Sequence, residues 1–91
     1  MKKTTIRAEN IGDTNWTRGT VKLSNGRVFR FDVKHYEEPS MYGIDGGCIS
    51  KLTVATATRL VTVINYDRGW DVEPRTADHR AVLTVLKNLY N

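Results

Sequence analysis

The chain has 91 residues, 40% hydrophobic and 26% charged, with fourteen Lys and Arg against ten Asp and Glu for a net charge of +4. That length makes one domain with a single modest core, and that balance is globular, not disordered. The lone cysteine, Cys48, excludes an internal disulfide, and no apolar run approaches the ~20 residues of a membrane helix.

The first residues, MKKTTIRAENIGDTNW, carry two lysines with no apolar segment behind them, unlike a secretory signal. The expected setting is therefore soluble and cytoplasmic. Residues 1–15 are polar and read as an N-terminal arm or a short edge strand at TTIRA; residues 16–91 read as one β-rich α+β domain.

The clearest local signal is a β-hairpin over residues 17–34, in GTVKLSNGRVFRFDVKHY. A two-residue Asn25-Gly26 loop puts Val21 on the same face as Arg30 and mixes apolar with basic side chains. A three-residue loop, Ser24-Asn25-Gly26, pairs Val21 with Phe29 and gathers Val21, Leu23, Phe29, Phe31 and Val33 on one face. A slip of one residue turns all of these to water, so the three-residue loop is expected, with Gly26 in the left-handed region. The other face then carries Arg18, Thr20, Lys22, Val28, Arg30, Asp32 and Lys34, a basic ribbon.

Two further strands are expected in CISKLTVAT and LVTVINYD, joined by the short ATR as an antiparallel pair. Cys48, Leu52 and Val54 share a phase in the first. The second is apolar from Leu60 to Ile64, as a strand covered on both sides is. Thr76 caps a closing helix in which Val82, Val85, Leu86 and Leu89 form one apolar stripe. A helix of ~20 Å at 1.5 Å per residue is marginal alone and must pack on the sheet. The fold class is α+β: an antiparallel sheet of three to five strands with one C-terminal helix on one face.

Three segments are candidates for function. In MYGIDGGCIS, three glycines and Asp45 sit between Tyr42 and a strand. A phosphate loop needs converging N–H groups and a helix right after it. A strand follows here, and no Gly-Lys-Ser/Thr is present, so a shaped turn competes with a ligand contact. In either case at least one of Gly43, Gly46 and Gly47 has a positive φ. In NYDRGWDVEP, Tyr66, Arg68 and Trp70 are residue types that interfaces use as anchors, set among Asp67, Asp71 and Glu73; the competing reading has Trp70 plugging the core. The basic ribbon of Arg18, Lys22, Arg30 and Lys34, with Lys51 nearby, suits a phosphate backbone or simply a solvated sheet face. Asp45, Asp67, Asp71 and Glu73 have no metal-ligand spacing, and His35, His79 and Cys48 form no catalytic motif, so no metal, cofactor or catalytic residue is expected.

Read together, EPSMYGIDGGCISKL and NYDRGWDVEP resemble a family of small proteins encoded by phages, prophages and mobile elements of Gram-positive bacteria. The matching positions run from Glu38-Pro39-Ser40 through Tyr42-Gly43-Ile44, Gly46-Gly47 and Ile49-Ser50-Lys51-Leu52 to Asn65–Asp71. A basic residue is usual where Cys48 stands. The resemblance implies a setting, not a mechanism: a non-enzymatic accessory protein that binds a host macromolecule, by analogy of setting an anti-defence, anti-CRISPR-like inhibitor. Its partner-binding residues are expected to be Tyr42, Asp45, Tyr66, Arg68, Trp70 and Asp71. The alternative is a nucleic-acid or signal-nucleotide binder using Arg18, Lys22, Arg30, Lys34 and Lys51. A homodimer through a free edge strand is open.

Overall fold

The computed structural model describes residues 4–91. Six strands, β1 (Thr5–Asn10), β2 (Trp16–Lys22), β3 (Val28–His35), β4 (Ile49–Thr56), β5 (Thr62–Asp67) and β6 (Trp70–Val72), precede one helix, α1 (Ala77–Tyr90). The strands form one antiparallel sheet in chain order, β1-β2-β3-β4-β5-β6. The α+β class holds, but the sheet has six strands where three to five were expected. Of the two readings of the N-terminal segment, the edge strand is the one that forms, as β1; the strand not expected is β6, the other edge. Polar TIRAEN pairs along its length with β2, from Thr5 opposite Lys22 to Asn10 opposite Thr17. The three-residue β6 folds back on β5. Residues 1–3 of the N-terminal segment lie outside the described residues.

The β2–β3 hairpin has the three-residue loop. Val21 stands opposite Phe29, the Leu23 N–H donates to the Arg27 carbonyl at 2.9 Å, and Gly26 has φ +90°. Val21, Leu23, Phe29, Phe31 and Val33 are all buried together. Gly19 on β2 is needed for close approach: a Cβ there would lie 2.0 Å from the Arg7 carbonyl oxygen, so β1 is seated tightly on its neighbour.

Two bulges correct the expected phases. His35 pairs with Ile49 and Lys34 with Lys51, which leaves Ser50 as an extra residue. The bulge resets the alternation, so Ile49 joins Leu52 and Val54 in the core and Cys48 does not. On β5, Val54 pairs with Ile64 and Ala55 with Thr62, leaving Val63 extra. Val63 and Ile64 are buried, but Leu60 and Val61 are more than half exposed, and Leu60 sits in the turn at φ +56°. The strand is covered on one side only.

The Thr76 hydroxyl caps α1 by accepting the His79 N–H at 3.1 Å. Val82 and Leu86 are fully buried, each contributing roughly 1.5–3 kcal/mol. Leu89, expected in the stripe, is 53% exposed. Val85 is half-buried against the core as expected, and His79, Leu83 and Tyr90 complete the covered side, because the helix runs along β3. His79 meets Phe29 edge-on at 5.9 Å, and Tyr90 lies 6.2 Å from Phe31 and 4.8 Å from His35. Asp78 holds the start of the helix to the hairpin loop, accepting from Asn25 and Arg27 at 3.0 Å each.

At the far end of β3, buried Thr17 donates its hydroxyl to Asn10 Oδ1 at 3.3 Å and lies 3.0 Å from His35 Nε2. With the Thr17 proton given to Asn10, the His35 Nε2–H is the donor. Burial lowers the His35 pKa below its ordinary 6.5. Below 6.5 the unfolded chain therefore binds more protons than the folded one, so stability is lost as pH falls through that value. Thermal melts at about pH 7.5 and about pH 5.5 should show a drop in midpoint for the wild type that is smaller in His35→Gln. Equal drops in the two proteins would remove His35 as the cause.

Candidate functional site

The glycine-rich loop closes on itself. Ser40 donates its N–H to the Gly47 carbonyl at 3.1 Å, Gly43 to Ser40 at 2.9 Å, Gly46 to Gly43 at 2.9 Å and Gly47 to Ile44 at 2.8 Å. Asp45 and Gly46 are both left-handed, at φ +52° and +71°, so one of the three glycines takes the positive φ expected. Gly43 is required for space instead: a Cβ there would lie 1.9 Å from the Gly47 carbonyl oxygen. The turn carries Ile44 into the core, 1% exposed.

The end of α1 fills what a ligand would otherwise occupy. The Asn91 carboxamide donates to the Ile44 carbonyl and accepts the Ile49 N–H, both at 3.0 Å. Lys87 forms an ion pair with Asp45. The N–H groups of Gly43, Gly46, Gly47 and Ile49 are thus all given to oxygens of the chain, and no converging set of these donors is left for a phosphate. This segment is a socket for the helix end.

The loop's outer side is different. Tyr42 is 55% exposed and Met41 84%. The Tyr42 carbonyl accepts the Tyr66 hydroxyl at 2.7 Å, and the Tyr66 ring meets Trp70 edge-on at 5.0 Å. Tyr66 is itself buried, which corrects its expected place as an exposed contact: it is a strut between the loop and the β5–β6 turn. Trp70 is 37% exposed, so it neither plugs the core nor stands free of it. Arg68 sits at φ +54° in that turn with its N–H given to the Ser50 carbonyl at 3.0 Å, and its side chain is exposed without an ionic partner among the described residues. Asp71 is exposed on β6. Of the residues expected to bind a partner, Tyr42 and Trp70 are linked through Tyr66, and Arg68 and Asp71 are exposed on either side of Trp70 in the chain. Asp45 is engaged with Lys87.

The outward sheet face carries the basic ribbon, partly neutralised. Arg18 pairs with Asp32 at 3.1 Å, Lys51 with Asp67 at 3.8 Å, and Lys34 Nζ lies 5.7 Å from the centre of the Tyr36 ring. Lys22 and Arg30 have no ionic partner among the described residues. Arg7 joins them through strand register, since Arg7 is opposite Thr20 and Thr20 opposite Arg30. Sequence reading missed it, because only the pairing of β1 places it there.

Among the described residues there is no group of three or more His, Cys, Asp or Glu side chains able to hold a metal, and no helix long and apolar enough to cross a membrane. His79 stands at the start of α1 and His35 by its end, so the two imidazoles do not meet.

An open six-stranded antiparallel meander backed by one helix makes this a small α+β domain with a single-layer sheet. Residues 15–91 match the family described as a domain of unknown function (DUF7678), and the chain belongs to that family. No curated protein and no solved structure matches it.

If the glycine loop is a socket, emptying it should cost stability. Asn91→Ala leaves the Ile49 N–H without its partner and the Ile44 carbonyl with only its Gly47 bond, and should lower stability by about 1–3 kcal/mol. Gly43→Ala should cost more, since backbone must move. Chemical denaturation of both variants checks this; a wild-type midpoint for Asn91→Ala would show that the carboxamide bonds contribute nothing.

Proposed function

We propose that this protein is a non-enzymatic docking module that binds a host macromolecule through the rim formed by Met41, Tyr42, Arg68, Trp70 and Asp71. The observation that carries the reading is the exposure of Met41 and Tyr42 on a loop whose backbone is held from both sides. Large apolar side chains on a mobile loop lose much of their binding energy to ordering; on a clamped loop that cost has been met in folding. Trp70 and Arg68 add an amphipathic ring and an uncommitted guanidinium, the residue types that dominate interface energetics. The resemblance of the two motifs to proteins of phages and mobile elements supports a bacterial host as the setting and a defence component as the target class.

A second reading is supported by a separate observation: Lys22, Arg30 and Arg7 have no ionic partner among the described residues and share one region of the outward sheet face. That region suits the phosphates of a nucleic acid or signal nucleotide, with affinity falling steeply as salt rises.

Affinity capture from host lysate at moderate salt, with protein and nucleotide both analysed, separates the two. Tyr42→Ala and Arg68→Gly should each weaken capture of a protein partner by about thirtyfold, the effect of losing about 2 kcal/mol. Arg68→Gly also relieves the positive φ, so its melting point should not fall. Undiminished capture by both variants would sink the docking rim. Capture of nucleotide lost on Lys22→Glu with Arg30→Glu would favour the sheet face instead.

A further inference from the structure

The sheet ends on one side in β1, and β1 is unusual for an edge. Its two charged side chains, Arg7 and Glu9, have no ionic partner among the described residues, although Glu9 stands opposite Arg18, which pairs with Asp32 instead. Both lie on the outward face, two residues apart, with exposed Ala8 between them on the other.

The hydrogen-bond phase of the edge follows from the register. The Ile11 N–H donates to the Trp16 carbonyl at 3.0 Å, in line with the β1–β2 ladder, so the odd residues of β1 bond to β2. The N–H and C=O groups of Ile6, Ala8 and Asn10 therefore point away from the sheet. A second β1 laid antiparallel about a two-fold axis at Ala8 would place Ala8 opposite its own copy and Ile6 opposite Asn10. All three outward pairs then coincide with the positions that exchange two bonds. The same register sets Arg7 opposite Glu9 of the copy, twice, at the closely spaced non-bonded positions where opposite charges help most. A register shifted by one residue would put Arg7 opposite Ala8 and lose both ion pairs.

We propose that β1 is a self-complementary edge through which two copies of this chain pair into one continuous antiparallel sheet. Its occupant is a second copy because the strand's charge pattern is complementary to itself. The inference is independent of the docking rim, which lies at the opposite end of the strand order.

Sedimentation equilibrium of the protein alone tests it. The mass should rise from 10.3 kDa toward twice that value with concentration. Arg7→Glu makes the edge uniformly acidic and Glu9→Arg makes it uniformly basic, so each variant alone should stay monomeric. Mixed in equal amounts, the two should form a heterodimer, since every facing pair is then of opposite sign. Ala8→Pro deletes only an outward N–H and should abolish pairing with the fold retained, as judged by circular dichroism; should it fail to fold, the charge variants still decide. A wild type that stays monomeric at millimolar concentration, or charge variants that each dimerise as well alone as mixed, would overturn the proposal.

Discussion

One helix has to cover the apolar face of a six-stranded sheet, and everything else in this fold is arranged around where that helix lies. Val82 and Leu86 supply the burial, but two knobs on a sheet face leave a helix free to pivot. The ends remove that freedom. Asp78 is bonded to Asn25 and Arg27 of the β2–β3 loop, and Asn91 is lodged between Ile44 and Ile49. The two anchors lie near opposite ends of β3, which is why the helix follows that strand. The contributions differ in kind. The Arg27–Asp78 pair is partly exposed and adds little on its own, about 0–1 kcal/mol. The Asn91 carboxamide satisfies backbone groups in part-buried surroundings, where a missing partner is expensive.

The glycine loop is built for this second anchor. Its tight geometry, with left-handed Asp45 and Gly46 and no room for a Cβ at Gly43, brings the Ile44 carbonyl and the Ile49 N–H to the same side chain. A consequence falls on the opposite side of the chain. Fixing Ile44 inward leaves Met41 and Tyr42 outward, and the Tyr66 hydroxyl locks the Tyr42 carbonyl in place. The exposed rim is thus rigid because the helix is docked, so stability and surface presentation are coupled through one loop.

The parts of the fold legible in the sequence were those set by uninterrupted alternation or local chemistry. The β2–β3 register followed from the single arrangement that keeps Val21, Phe29 and Phe31 together, and the Thr76 cap from a side chain meeting a backbone N–H three residues on. What failed was phase across an irregularity. A bulge at Ser50 exchanges Cys48 for Ile49 in the core, and nothing in CISKL distinguishes a bulged strand from a straight one. The apolar run Leu60–Ile64 concealed a turn residue and a second bulge. Leu89 fits a stripe by spacing, but the helix is rotated by where Tyr90 packs. At the candidate site, the motifs were visible as motifs, while the sense of Tyr42, the burial of Tyr66 and the pairing of Asp45 with Lys87 depend on contacts between residues 24 to 42 positions apart. Strand β1 was legible only as one of two alternatives, since TIRAEN has almost no apolar content and acquires its place only from β2.

An open sheet has two edges, and this one treats them unlike. β6 is three residues long, is entered through a turn with Arg68 at a positive φ, and is followed by Glu73 and Pro74. A short strand next to charge and proline offers a foreign strand almost no ladder to extend. β1 has twice that length, no proline and an even run of outward N–H and C=O groups, and close approach at Gly19 holds it in the sheet. Its charges do not protrude across the edge; they sit on the outward face, where they discriminate among partners without blocking the ladder. Blunting one edge while leaving the other regular and charge-patterned confines strand addition to a single side. The exposed Tyr42 and Trp70 lie beside the blunted edge, so an added strand at β1 would leave them uncovered.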